Sequence, residues 1–230
     1  MPTLKLISFP ICPFVQKAAL LLATQGLAYE IDYIDLANKP DWFLAISPLG
    51  KVPVLLVDDV PLFESQVILE YLDELTQANL HPADSLQKAQ QRALMEFSSS
   101  MLMSQYALLM AKEETEMLHH LQVLQQQMIF METQLLSRDY QAREYFNGKA
   151  LRMIDLAFAP LLQRLSFLMQ GYLPALFQAT PALAAWTKQL LALPALSDSA
   201  IADLQPRIHA YSAERQSYLA NLGQPYSHPI

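Results

Sequence analysis

The chain contains one cysteine, Cys12, and that scarcity excludes two kinds of protein. An internal disulfide framework needs cysteine pairs, and a dithiol oxidoreductase needs a second thiol three residues on, where Val15 stands. Any disulfide chemistry at Cys12 must draw its second thiol from outside. Long apolar runs are also missing: none approaches the roughly 18 to 20 residues of a membrane span. No basic and apolar leader opens the sequence, so a soluble, cytoplasmic protein is expected. A lone thiol suits such a reducing compartment. Basic runs are absent as well. The 15 Lys plus Arg are spread thinly against 22 Asp plus Glu, and a formal net charge of −7 gives no nucleic-acid footprint. An anionic substrate would need local positive charge, for which Lys17, Lys39 and Lys51 are the candidates nearest the cysteine in sequence.

What is present is a large apolar fraction, 53% of 230 residues, enough for a sizeable core in one or two domains. The chemistry concentrates at Ile11-Cys12-Pro13-Phe14-Val15-Gln16-Lys17. Leu4 to Ser8 reads as a strand, and the apolar run within Gln16 to Gln25 as a helix ended by Gly26. Pro13 fits a first helical position, which puts Cys12 at the helix N-terminus. Unpaired N–H groups and the positive end of the helix dipole favour negative charge there, so a reactive thiolate is expected.

Further along, Tyr29 to Ile34 alternates apolar and acidic residues as a one-faced strand does, and Asp41 offers a cap for a short helix through Trp42 to Ile46. After the loop Ser47-Pro48-Leu49-Gly50, an apolar strand spans Lys51 to Val57; Asp58-Asp59 turns the chain into a return strand, Val60 to Phe63. Ser65 opens a helix running to about Leu75. The order βαβ-α-ββα specifies a four-stranded mixed sheet with packed helices, the thioredoxin-like arrangement. Pro53, at a strand start after a loop, is expected to be cis. A polar stretch over 79–88 reads as a linker between a first domain, 1–78, and an all-helical second domain, 89–230. The helical stretches expected there are Leu86 to Lys112, Glu113 to Leu136, Asp155 to Met169, Pro181 to Leu193 and Asp198 to Asn221, with Gly148, Gly171 and Pro194 as breakers.

These residues resemble the glutathione S-transferases of the cysteine type, the omega-like and related bacterial enzymes. The resemblance covers nearly the whole chain. It rests on Cys12-Pro13-Phe14-Val15-Gln16-Lys17, on Ala37-Asn38-Lys39-Pro40-Asp41-Trp42-Phe43, on Pro48-Leu49-Gly50-Lys51-Val52-Pro53-Val54-Leu55 and on Phe63-Glu64-Ser65-Gln66-Val67-Ile68. It implies glutathione as co-substrate, Cys12 as catalytic residue, and a site whose parts follow side-chain chemistry. Val52, before the cis proline Pro53, would pair its backbone with the cysteinyl part of glutathione. Glu64 would accept from the γ-glutamyl ammonium, and Ser65, at a helix N-terminus, would hold the γ-glutamyl carboxylate. Lys39 and Lys51 would face the glycine carboxylate. Phe14 would line both the glutathione site and a second-substrate pocket, to which Tyr106 would also contribute. A homodimer is implied too. In one place the chain departs from the family: Arg152 stands where a Ser or Thr usually precedes Asp155 by three residues, so that local cap lacks its side-chain acceptor.

The activity implied is glutathione-dependent thiol transfer or reduction, dehydroascorbate reductase included, through a Cys12–glutathione mixed disulfide. Two alternatives stand beside it: conjugation of glutathione to small electrophiles, which a cysteine thiolate disfavours by repelling glutathione's own, and a non-catalytic binding or regulatory protein of the same fold. No metal is expected. Glu116, His119 and His120 lie within about a helical turn but have no further ligand cluster, and read as a solvated face. Seven of the ten methionines fall between Met95 and Met131, as an adaptable pocket or as core.

Overall fold

The structure, a computed structural model, describes residues 1–136 and 144–226. The chain forms two compact units, one of Met1–Lys88 with Pro194–Ala202, the other of Ala89–Leu193 with Asp203–Ile230 as far as these are described.

The first unit holds a four-stranded sheet in the order β2-β1-β3-β4, from β1 (Leu4–Ser8), β2 (Glu30–Tyr33), β3 (Val54–Val57) and β4 (Val60–Phe63). β1 pairs parallel with β2 and antiparallel with β3, and β3 antiparallel with β4. This is the expected thioredoxin-like arrangement. Alternation along β1 and β3 sorts their side chains: Ile7 and Val54 join Ile34 and Phe43 in one buried cluster, the last from α2 (Asp41–Ile46). Leu4, Leu6 and Leu55 are buried on the other face. There α1 (Pro13–Thr24) packs on β1 and on α3 (Ser65–Thr76). Eight consecutive α1 residues, Val15 to Leu22, are buried. A helix apolar on all sides must be covered all round.

The covering is completed by a piece expected in the helical domain. α8 (Pro194–Asp198) packs on α1, and Gln16 Nε2 donates to Ser199 Oγ at 3.3 Å. The first unit is therefore discontinuous in sequence, which a boundary read from the polar 79–88 stretch does not capture. His81, from that stretch, is buried with its Nε2 3.0 Å from Glu70 Oε1 on α3.

The second unit contains α4 (Ser85–Met110, whose first residues belong to the first unit), α5 (Glu114–Leu136), α6 (Met153–Gly171), α7 (Pro181–Leu191), α9 (Leu204–Glu214) and α10 (Tyr218–Asn221). α6 is its buried axis, and Trp186 of α7 packs between Phe146 and Phe158. Asp155, fully buried, accepts from the N–H groups of Phe146 (2.9 Å) and Arg152 (2.8 Å) and from Trp186 Nε1 (2.9 Å). An arginine side chain has no acceptor, so Arg152 contributes through its backbone, whose carbonyl takes the Asp155 N–H at 3.0 Å.

Several expectations are corrected. The single helix expected from Asp198 to Asn221 is two pieces, α9 and α10, and Asp198 is the last residue of the preceding α8. Pro206 lacks the N–H that a helix interior would pair, and α9 starts at Leu204 so that the proline falls in its first turn, whereas α6 carries Pro160 in its interior. Gln216, with φ 54°, then breaks α9 from α10. Pro194 separates α7 from the next helix as expected and is the first residue of α8, and Gly171 is the last residue of α6. Asp41 is the first residue of α2, with Pro40 in the cap position. β3 begins at Val54, after the cis Val52–Pro53 bond, which is as expected. Tyr226 N–H bonds the Tyr172 carbonyl and its hydroxyl donates to Glu114, whereas Ser227 to Ile230 lie outside the described residues.

Candidate active site

The pairing register gathers the candidate residues of the first unit at one end of the sheet. β1 and β2 run parallel, with Ser8 opposite Tyr33, so Cys12 and Lys39 both follow the same ends of neighbouring strands. β3 starts at that end, where Val54 lies opposite Ile7 and Phe63, placing Lys51, Val52 and Pro53 before it and Glu64 and Ser65 after β4. Four strands thus deliver every predicted residue of this unit to one rim.

Cys12 is the N-cap of α1, half-buried, with extended backbone (φ −73°, ψ 116°) and Pro13 at the first helical position, as expected. Its N–H bonds the Phe9 carbonyl at 2.9 Å in the turn leaving β1, and its own carbonyl takes the Gln16 N–H at 3.2 Å. The first-turn N–H groups of Phe14 and Val15 have no acceptor within the helix, because the intrahelical ladder starts four residues in. They and the helix dipole favour an anionic sulfur here.

Lys39 and the loop before β3 meet at Gly50. The Lys39 ammonium lies 3.3 Å from where a Gly50 Cβ would be, and Gly50 has φ 57°, a left-handed backbone that favours glycine. Buried Ser47 closes the loop, its hydroxyl accepting the Lys51 N–H (3.0 Å) and donating to the Lys51 carbonyl (2.9 Å). Val52 lies beyond the last paired residue of β3 on both sides, and Pro53 behind it is buried.

Glu64 carries backbone strain. A non-glycine residue at φ 71°, ψ 113° lies outside the populated basins, and such residues gather at functional sites. Glu64 is the N-cap of α3, yet its exposed side chain makes no capping bond, so ordinary capping does not explain the acid. Ser65 is buried at the first position of α3.

One lysine turns out differently. Lys17, a candidate for meeting an anionic substrate, has 0% exposure and cannot meet one from solvent; its Nζ lies 5.4 Å from the centre of the Phe14 ring. Tyr106 belongs to the second unit, where it hydrogen-bonds Tyr211; that bond and partial burial push its phenol above the usual range, against the pull of Arg215. The Arg215 guanidinium sits 3.5 Å from the centre of the Tyr211 ring. Neither Tyr211 nor Arg215 carried a sequence signal. Of the methionine group, Met95, Met101, Met117, Met128 and Met131 are core, and Met103 is exposed. Glu116 accepts the Lys112 N–H at 2.8 Å, which makes it a helix-start residue of α5. Among the described residues no group of three or more His, Cys, Asp or Glu is placed to hold a metal ion.

The profile of the glutathione S-transferase N-terminal domain matches residues 11–75. Glutathione S-transferase omega-1 of Sus scrofa is 31% identical over 196 residues, 84% of this chain and 79% of its own length. The chain belongs to the glutathione S-transferase family. It is an omega-like member. Two solved structures have the same fold. The tau-class transferase of Mangifera indica matches with a TM-score of 0.80 at 24% identity, over 94% of this chain and 99% of its own. A rice transferase in complex with glutathione matches with 0.74 at 24% identity, over 93% and 97%. In this glutathione S-transferase the matched profile takes in Cys12, Lys39, Lys51, Val52, Pro53, Glu64 and Ser65.

Proposed function

We propose that this omega-like transferase is a glutathione-dependent thiol transferase that works through a Cys12–glutathione mixed disulfide. One observation carries the reading: the only cysteine is the half-buried N-cap of α1, at the sheet end where the glutathione-binding candidates also lie. In the first step the Cys12 thiolate attacks the glutathione-side sulfur of a mixed disulfide. The old S–S bond breaks, a Cys12–glutathione S–S bond forms, and the other thiolate leaves with the bonding pair and takes a proton from water. A second glutathione thiolate then attacks the glutathione-side sulfur, so oxidised glutathione leaves and Cys12 returns as thiolate. A thiolate favoured by position serves both as nucleophile and as leaving group. Reduction of a small oxidised substrate of the dehydroascorbate type balances likewise, two glutathiones supplying two electrons and two protons.

Glutathione as the co-substrate is supported by the rice relative, whose structure contains it. In this chain Val52 offers its unpaired strand extension to the cysteinyl backbone, Glu64 its carboxylate to the γ-glutamyl ammonium, and Ser65 the start of α3 to the γ-glutamyl carboxylate. Lys39 and Lys51 serve the glycine carboxylate. Phe14 borders the thiol, and Tyr106 is assigned to the second-substrate pocket. The working form is a cytoplasmic homodimer, and no described helix is long and apolar enough to cross a membrane. The test is intact mass after brief exposure to oxidised glutathione, for wild type and Cys12→Ser. One glutathione added to wild type alone, and removed by reduced glutathione, is the expected result; no adduct on wild type at neutral pH sinks the mechanism.

A further inference from the structure

The exposed face of α4 presents Met103 and Tyr106 three residues apart, with half-buried Met110 one turn further on. This is the part of the methionine group that the core does not absorb. The end of α9 is fixed against the end of that helix. Gln216 takes the left-handed conformation, its N–H bonds the Ala213 carbonyl and the Ser217 N–H the Ser212 carbonyl, which closes α9 in a Schellman turn. The Tyr218 N–H then bonds the carbonyl of Ala111, the residue that follows α4, at 2.8 Å. With the Tyr106–Tyr211 hydrogen bond further back along both helices, the two ends are tied at two points.

Arg215 is the C-cap of α9 and is held twice: its guanidinium lies on the Tyr211 ring, and its Nη1 donates to the Tyr211 carbonyl at 3.2 Å. Nε and Nη2 have no acceptor among the described residues, and the exposed Glu214, 3.9 Å from Nη1, is a weak surface neighbour. In a chain whose formal net charge is −7, a fixed cation with unused donors is a feature that helix capping alone does not account for. A guanidinium packed on a ring face keeps its N–H edge outward in one plane, the geometry that receives a carboxylate through two hydrogen bonds. The methionine and tyrosine strip on α4 supplies what such a cation lacks, a polarizable apolar surface suited to an aromatic ring.

We propose that Met103, Tyr106 and Arg215 form a site for small aromatic carboxylates, Arg215 taking the carboxylate and the α4 strip the ring, and that the second substrate belongs to that class. The proposal rests on the assignment of Tyr106 to the second-substrate pocket for its purpose, but binding is tested without turnover. The probes are 2-naphthoate and its uncharged counterpart 2-naphthamide. Their binding is measured by equilibrium dialysis at pH 7 and constant ionic strength in wild type, Arg215→Gln, Arg215→Lys and Tyr106→Ala, with thermal unfolding as the check on folding.

Wild type should bind 2-naphthoate at least about tenfold more tightly than 2-naphthamide, the worth of one charge-assisted hydrogen bond. Arg215→Gln should erase that preference while keeping 2-naphthamide affinity within about twofold, since the amide draws nothing from the charge. Arg215→Lys, which keeps the charge but loses the planar fork, should fall between the two. Tyr106→Ala should weaken both probes. Equal binding of the two probes by wild type, binding of neither, or a folded Arg215→Gln that keeps the preference or loses both probes alike overturns the proposal. So does the failure of both Arg215 variants to fold, which would make the arginine a structural cap. Competition by 2-naphthoate against a glutathione mixed disulfide in steady-state turnover is read separately. Competition supports the substrate class, whereas carboxylate binding without it keeps the site and overturns the substrate assignment alone. Absence of the glutathione adduct on Cys12 removes the thiol-transfer reading and leaves the binding result standing.

Discussion

Asp155 allows a sharp test of the energetics of the second unit. Its carboxylate is buried and accepts three N–H groups, two of them, from Phe146 and Trp186, on residues with no exposed surface. Replacement by alanine strands both buried donors, at about 1–3 kcal/mol each, so Asp155→Ala should cost roughly 3–5 kcal/mol. Asp155→Asn keeps an oxygen for Phe146 and Trp186 but turns an NH2 toward the Arg152 N–H, and should cost about 1–2 kcal/mol. The pH dependence separates the two ideas of how the charge is held. Burial raises the carboxyl from 3.8 to about 6, against the pull of the three donors. The folded state therefore keeps a proton that the unfolded state has lost. The associated stability is fully present below pH 3.8 and disappears as pH rises through about 6, a span of roughly 3 kcal/mol at 1.36 per unit. The assay is urea unfolding followed by fluorescence in a Trp42→Phe background, which leaves Trp186, buried beside Asp155, as the sole tryptophan. Stability of the wild type minus that of Asp155→Asn should grow on acidification from pH 7 to 4. A difference flat with pH, or an alanine variant costing under about 1 kcal/mol, refutes this account of the site.

Other perturbations follow from single contacts. Glu132, buried on α5, accepts the Ala182 and Leu183 N–H groups at 2.9 and 2.8 Å, and Glu132→Ala should cost about 2–4 kcal/mol in the same unfolding assay. Glu64→Gly releases the strained backbone and should stabilise the fold by about 1 kcal/mol while raising KM for glutathione, read by melting temperature and steady-state kinetics together. Gly50→Ala forces a left-handed alanine and pushes on the Lys39 ammonium; a loss of about 1 kcal/mol and a higher KM for glutathione are expected, with kcat unchanged.

Much of the first unit was legible because its signals are local. Pro13 marks the start of α1, alternation marks β2, and Pro48 to Val54 marks the turn into the cis proline. The strands' ends then bring Cys12 to the same rim as Lys51 and Glu64. The rest depends on what packs where. Lys17 is a charged residue in the right stretch, and only the covering of α1 on every side removes it from solvent. Glu64 looks like any acid before a helix until its backbone angles are known. The partners of Tyr106 lie over a hundred positions away in α9 and just after it, with no periodicity to announce them. The break of the last long helix was within reach, since Pro206 stands in plain view, but helical periodicity outweighed it.

The discontinuity of the first unit bears on how the chain is made. α1, the helix that Cys12 caps, has α8 as part of its cover, and Leu196 of α8 is 1% exposed. On the ribosome the sheet and α1 emerge early, but the Ser199 hydroxyl that receives Gln16 is synthesised 183 residues later. Until then the apolar flank of α1 is bare to whatever is nearby. Residues 1–88 expressed alone inherit the same uncovered flank and should aggregate more readily than the full chain.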